Sequence, residues 1–149
     1  MEIGGLPLHP LVVHAAVVFT PLAALTALGY TLVTRWRERL RWPMVVLALV
    51  ATGAVVAAFL SGGSFLENRP ELSQKPLVQT HEERAELLLW LTLAFGAVAT
   101  LTGGLHRRTT GGLHLGLRLL LALAGAAVLV QVVLTGDAGS RAVWEAIAG

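Results

Sequence analysis

The 149-residue chain contains no cysteine. That absence excludes disulfides, Cys-ligated zinc, iron–sulfur clusters and c-type haem attachment together. Charge is scarce as well. Only 13% of the residues are Asp, Glu, Lys or Arg, against about 25% in a soluble domain, too few to cover a water-facing surface. Several catalytic signatures are missing. There is no Gly-rich phosphate loop, no G-x-S-x-G elbow and no H-E-x-x-H; His81-Glu82-Glu83-Arg84-Ala85 lacks the second histidine. No stretch alternates as a membrane β-strand does. No carboxylate interrupts the apolar runs, which excludes a carboxylate relay through the hydrocarbon.

What remains is apolar. Hydrophobic residues make up 55% of the chain and the mean hydropathy is +0.71. Four apolar runs cover residues 11–34, 43–60, 87–103 and 119–135. A spanning helix needs about 17–25 mostly apolar residues, and in lipid only helices and closed barrels satisfy every backbone group. The expected fold is therefore all-α: an integral membrane four-helix bundle forming one domain over 1–149. Its helices are expected at about 10–34, 43–61, 81–103 and 113–135. The first run is too long for a signal h-region and has no basic residue before it, so it is read as a retained helix.

The loops set an expected orientation. Arg35, Arg37, Arg39 and Arg41 face one glutamate in the first loop; Arg107 and Arg108 lie in the third; the second is rich in glutamate. Cationic loops stay cytoplasmic. That places both termini and the second loop outside, an N-out/C-out protein of a bacterial cytoplasmic membrane. The formal charge of +2 belongs to these membrane-flanking arginines and does not indicate a nucleic-acid partner. Local signals mark helix ends: Pro10 and Pro43 in first turns, Thr80-His81-Glu82-Glu83 as a capping box, and Gly62-Gly63, Gly103-Gly104 and Gly136 as stops. No shared motif positions relate the two helix pairs. Small residues on helices two and four suit close helix packing, within the chain or in a homo-oligomer.

Five histidines are the main chemical feature. Ionisable groups at a bilayer are costly and point to function. His9, His14 and His81 fall at the outer end. His9 and His14 are five residues apart, about 140° on a helix, so they do not share a face; His9 precedes the expected helix and is free to turn, while His14 is expected to point inward. Gln131 falls at a similar depth, and Glu82 adjoins His81. His106 and His114 fall at the inner end with Arg118, whose long stem can snorkel to the interface.

Leu8-His9-Pro10-Leu11-Val12-Val13-His14 resembles the opening motif of a family of small bacterial four-helix membrane proteins known as a domain of unknown function. Ser61-Gly62, Thr80-His81-Glu82-Glu83 and the stretch 134–139 with Val143 resemble its later segments. The family's Phe-Pro-Ile after the second histidine is Ala15-Ala16-Val17 here, and its second C-terminal glycine is Ser140. The resemblance implies a four-helix membrane domain with His9, His14 and His81 as matching polar positions.

Three functions compete at this stage. The first is a small b-type cytochrome for electron transfer, with haem b held by His14 and His81, His9 as the alternate ligand and Gln131 nearby, exchanging electrons with a redox partner. The second is a zinc or copper site of His9, His14, His81 and Glu82. The third is an accessory subunit of a larger membrane complex.

Overall fold

A computed structural model describes residues 2–3 and 6–148, with side chains described over 9–144. A two-residue antiparallel pair, β1 (Glu2–Ile3) with β2 (Leu6–Pro7), leads into helix α1 (Leu8–Leu32). A 3-10 turn at Thr34–Trp36 joins it to α2 (Arg37–Glu67). The short α3 (Pro70–Ser73) precedes α4 (Pro76–Leu105), and α5 (Gly111–Ala148) completes the chain. Gly111, at φ +62°, makes the left-handed turn into α5 that a side chain would disfavour.

α1, α2, α4 and α5 are each long and apolar enough to cross a membrane. They form a bundle in which α1 packs on α2 and α5, and α4 packs on α2 and α5. α1 thus stands diagonal to α4, and α2 to α5. The bundle is greasy outside: Leu32, Leu123 and Val133 are all more than 60% exposed, which only hydrocarbon solvates well. Its core is built largely from small residues, including Ala16, Ala23, Ala27, Ala48, Ala51 and Ala99, around Tyr30, Met44, Phe95 and Leu121. Small side chains let backbones approach and gain dispersion energy where lipid offers no hydrophobic drive.

The helices overrun their expected ends. Gly62-Gly63, Gly103-Gly104 and Gly136 continue helices rather than stop them. Backbone groups near lipid need intrahelical partners, and this outweighs the weak glycine signal. Pro43 lies inside α2, which starts at Arg37, and Pro10 is the third residue of α1. Thr80 is no cap. α4 opens at Pro76, a residue pre-set for the first turn, and the Thr80 hydroxyl donates back to the Pro76 carbonyl at 3.0 Å.

The bundle is internally repeated, contrary to the reading of unrelated helix pairs. The buried positions of α1 among the described residues are Ala16, Thr20, Ala23, Ala24, Ala27, Tyr30 and Thr31. Those of α4 are Leu88, Thr92, Phe95, Gly96, Ala99, Thr102 and Gly103, each 72 residues further on. Between α2 and α5 the offset is 77: Met44, Ala48, Ala51, Val55 and Ser61 match the buried Leu121, Gly125, Val128, Val132 and Ala138. Val45, Gln131 and Thr135 are the exceptions, matching half-buried Ala122, Ala54 and Ala58. Hairpins α1–α2 and α4–α5 are thus related by an approximate two-fold axis along the bundle. The unequal offsets come from a longer α4–α5 connection, so no single period reveals the repeat.

Candidate functional site

The repeat pairs His9 with His81, again 72 residues apart. Each sits in the first turns of its helix and leans on the C-terminal part of its hairpin partner. His9 Nδ1 lies 3.2 Å from the Ala58 carbonyl and 3.1 Å from the Ser61 hydroxyl. His81 Nδ1 lies 3.1 Å from the Thr135 carbonyl. Ala58 and Thr135 are equivalent positions, 77 apart. A carbonyl only accepts, so Nδ1 carries the proton in both neutral rings, and Nε2 carries the lone pair. Neither Nε2 has a hydrogen-bond partner among the described residues.

Glycine makes both arrangements possible. A Cβ on Gly62 would come within 3.1 Å of His9 Cε1, and one on Gly139 within 2.9 Å of His81 Cε1. The imidazoles therefore lie directly against helix backbone, four residues beyond the carbonyl each one bonds. The two hairpins differ in detail. His9 also stacks on Phe65, with ring centroids 6.1 Å apart, where α5 has Ala142; the equivalent of Ser61 is Ala138.

The other expected site residues are placed differently. His14 is exposed and bonds its own helix at the Pro10 carbonyl. It does not point inward, and it shares nothing with His81. The reason is the 140° separation together with an earlier helix start. α1 begins at Leu8, so His9 is already helical, and with His9 facing inward His14 faces out. Glu82 is exposed. Among the described residues no three His, Cys, Asp or Glu side chains are placed to hold a metal ion, so the set His9, His14, His81 and Glu82 is not assembled. Gln131 is buried, and its amide donates to the Arg84 carbonyl at 3.0 Å. Thr135 Oγ1 donates to the same oxygen at 3.1 Å. Gln131 thus ties α5 to α4 beneath His81. Ser61, Gly62, Thr135 and Gly139, which complete the two stations, were not singled out as site residues from the sequence. Their signal is a glycine four residues after a carbonyl acceptor, visible only once each histidine is assigned its helix.

The opposite end carries the arginines, and three of them cap helices. Arg41 Nε donates to the Gly103 carbonyl at 2.7 Å and Arg118 Nη2 to the Thr31 carbonyl at 2.8 Å. These pairs are again symmetry equivalents. Arg37 reinforces the second, donating to the Tyr30 and Thr31 carbonyls at 3.3 Å. Helix C-termini present unpaired carbonyls and partial negative charge, which guanidinium groups neutralise. Arg118 thus caps α1 at this end. Tyr30, His106, Glu38 and Arg107 form a further hydrogen-bonded chain at this end.

Four apolar spanning helices, a small-residue core and a lipid-compatible surface define a four-helix integral membrane protein. The family model described as "Predicted membrane protein (DUF2231)" matches residues 5–149, and the chain belongs to this family. No curated protein and no solved structure matches it.

Proposed function

We propose that the histidine end binds haem b between α1 and α4, with His9 and His81 as axial ligands, and that the protein transfers electrons. The observation that carries this reading is the matched pair of imidazoles on diagonal helices. Each has Nδ1–H committed to a backbone carbonyl and an unpartnered Nε2. Metal-ligating histidines characteristically donate their other N–H to such an acceptor, which fixes the tautomer and ring orientation and strengthens the donor nitrogen. Two neutral imidazoles suit a b-type haem in a helix bundle, and this donor set fits it without Cys or Met. The approximate two-fold axis relating the ligands matches the near-symmetry of a porphyrin. When bound, haem would supply a one-electron redox couple. The protein's own part is to hold His9 through Ala58 and Ser61, hold His81 through Thr135, and keep Gly62 and Gly139 small enough for the rings to lie flat.

The arginine asymmetry supports an N-out/C-out orientation in a bacterial cytoplasmic membrane, with the histidine end outward. A redox partner or larger membrane complex would then meet the protein on that side. The test is the haem content of protein purified in mild detergent from haem-replete cells. Stoichiometric haem with a Soret band that shifts on reduction is expected. Colourless protein sinks the proposal; if such protein carries zinc or copper, the metal alternative replaces it.

A further inference from the structure

The approximate two-fold symmetry relates most packing positions, the His9–His81 pair and the Arg41 and Arg118 caps, so polar residues that break it call for a separate account. The arginine-rich end breaks the repeat at four polar sites: buried Tyr30, half-buried His106 and His114, and exposed Glu38. Tyr30 is matched by Thr102, His106 by Thr34, Glu38 by Leu115 and His114 by Arg37. Three of the symmetry-breaking residues form one hydrogen-bonded chain. The Tyr30 phenol, fully buried, donates to His106 Nδ1. His106 Nε2–H donates to Glu38 Oε1 at 3.1 Å, and the side-chain exposures of His106 and Glu38 are 10% and 59%. The chain thus runs from no exposure, through little, to an open carboxylate.

We propose that Glu38, His106 and Tyr30 form a one-sided proton relay between the arginine-rich face and the buried interior of the bundle. The groups alternate donor and acceptor in the order a relay needs. When Glu38 takes the Nε2 proton, His106 Nδ1 takes the phenol proton, and the reverse movement restores the start. No proton is gained or lost within the chain, and each end exchanges with its own surroundings. At the level of Tyr30 the Thr102 hydroxyl and Arg118 Nε are buried without hydrogen-bond partners. An ordered water would satisfy such groups and is the natural acceptor at the inner end of the relay. The surrounding charges come from every packed element. α2 supplies Arg37 and Arg41, the turn after α4 supplies Arg107, which bonds Glu38 Oε2 at 3.1 Å, and α5 supplies Arg118 and His114, whose ring lies 5.8 Å from that of His106. The relay is independent of the haem reading and does not cross the membrane.

Tyr30 is the chain's only tyrosine, so its phenol can be followed alone. The experiment is stopped-flow infrared spectroscopy of the full-length protein in nanodiscs after mixing into D2O, reading the phenolic C–O–H bending mode. Tyr30→Phe assigns the band. In the wild type, exchange is expected at least tenfold faster than that of the backbone amides around Tyr30. His106→Phe should slow it at least tenfold, Glu38→Gln by a smaller factor, and His114→Phe by less than twofold. Free imidazole should restore fast exchange to His106→Gly, which a merely structural histidine would not permit. Should His106→Phe fail to fold, the exposed Glu38→Gln change and the imidazole rescue still decide. Wild-type exchange no faster than the amides, or equal rates in wild type, His106→Phe and Glu38→Gln, would overturn the relay.

Discussion

Gly139→Ala tests the contact on which the His81 station depends. A methyl group there would sit 2.9 Å from His81 Cε1 and 3.1 Å from Nδ1. Carbon atoms pack at about 3.5–4.0 Å, so the ring must retreat by roughly 0.6–1 Å. The Nδ1···Thr135 carbonyl bond, now 3.1 Å, would then stretch beyond hydrogen-bonding range. Losing it costs about 0.5–1.5 kcal/mol, and overpacking adds about 1–3 kcal/mol. Alanine recovers about 1 kcal/mol of helix propensity. The net expectation is destabilisation by roughly 1–3 kcal/mol. Gly62→Ala, with its Cβ at 3.1 Å from His9 Cε1, should follow the same course with a smaller loss. Gly136 and Gly63 have open space where a Cβ would go, so alanine there should stabilise by about 0.5–1 kcal/mol. The assay is unfolding in detergent followed by circular dichroism, with the four variants side by side. If Gly139→Ala gains as much stability as Gly136→Ala, His81 does not lie on the helix backbone and the reasoning fails.

Other outcomes follow from the same geometry. Gly96→Ala would bring a Cβ to 2.6 Å from Thr52 Oγ1 and should cost about 1–3 kcal/mol by overpacking; Thr52→Ala should relieve most of that loss in a double-mutant cycle. Arg41→Met removes the only side-chain donor to the Gly103 carbonyl among the described residues, whereas Arg118→Met leaves Arg37 on the Thr31 carbonyl. Thermal melts should therefore show a loss of about 1–2 kcal/mol for the first and less for the second. Reporter fusions at Arg39 and Arg108 should report cytoplasm and one at Lys75 the exterior; an exterior Arg39 would reverse the proposed orientation.

The membrane class and the four helices were legible because apolar length is a strong signal. Helix ends were less so. Gly62, Gly103 and Gly136 carry the local chemistry of stops, yet they serve close approach or simply continue a helix that lipid favours. The histidines were legible as a group, but their pairing was not. The correct partner for His81 is set by a two-fold relation whose offsets are 72 and 77, hidden by unequal connections and by different side chains at equivalent positions, as with Ala23 and Phe95. His14 looked like the buried residue because α1 was started too late: with His9 left outside the helix, nothing tied its direction to that of His14, about 140° away. Tyr30, His106 and Glu38 come from three separated segments, and nothing local in any of them announces the chain they form.

The central claim is that His9 and His81, and not His14, form the ligand pair. The direct measurement is the absorbance spectrum, oxidised and dithionite-reduced, of purified wild type beside His9→Ala, His81→Ala and His14→Ala. The account predicts a shifting Soret band in the wild type and in His14→Ala, and its loss or conversion to a five-coordinate spectrum in both other variants. A band that depends on His14 and survives the loss of His9, or no band in any of the four proteins, would contradict it.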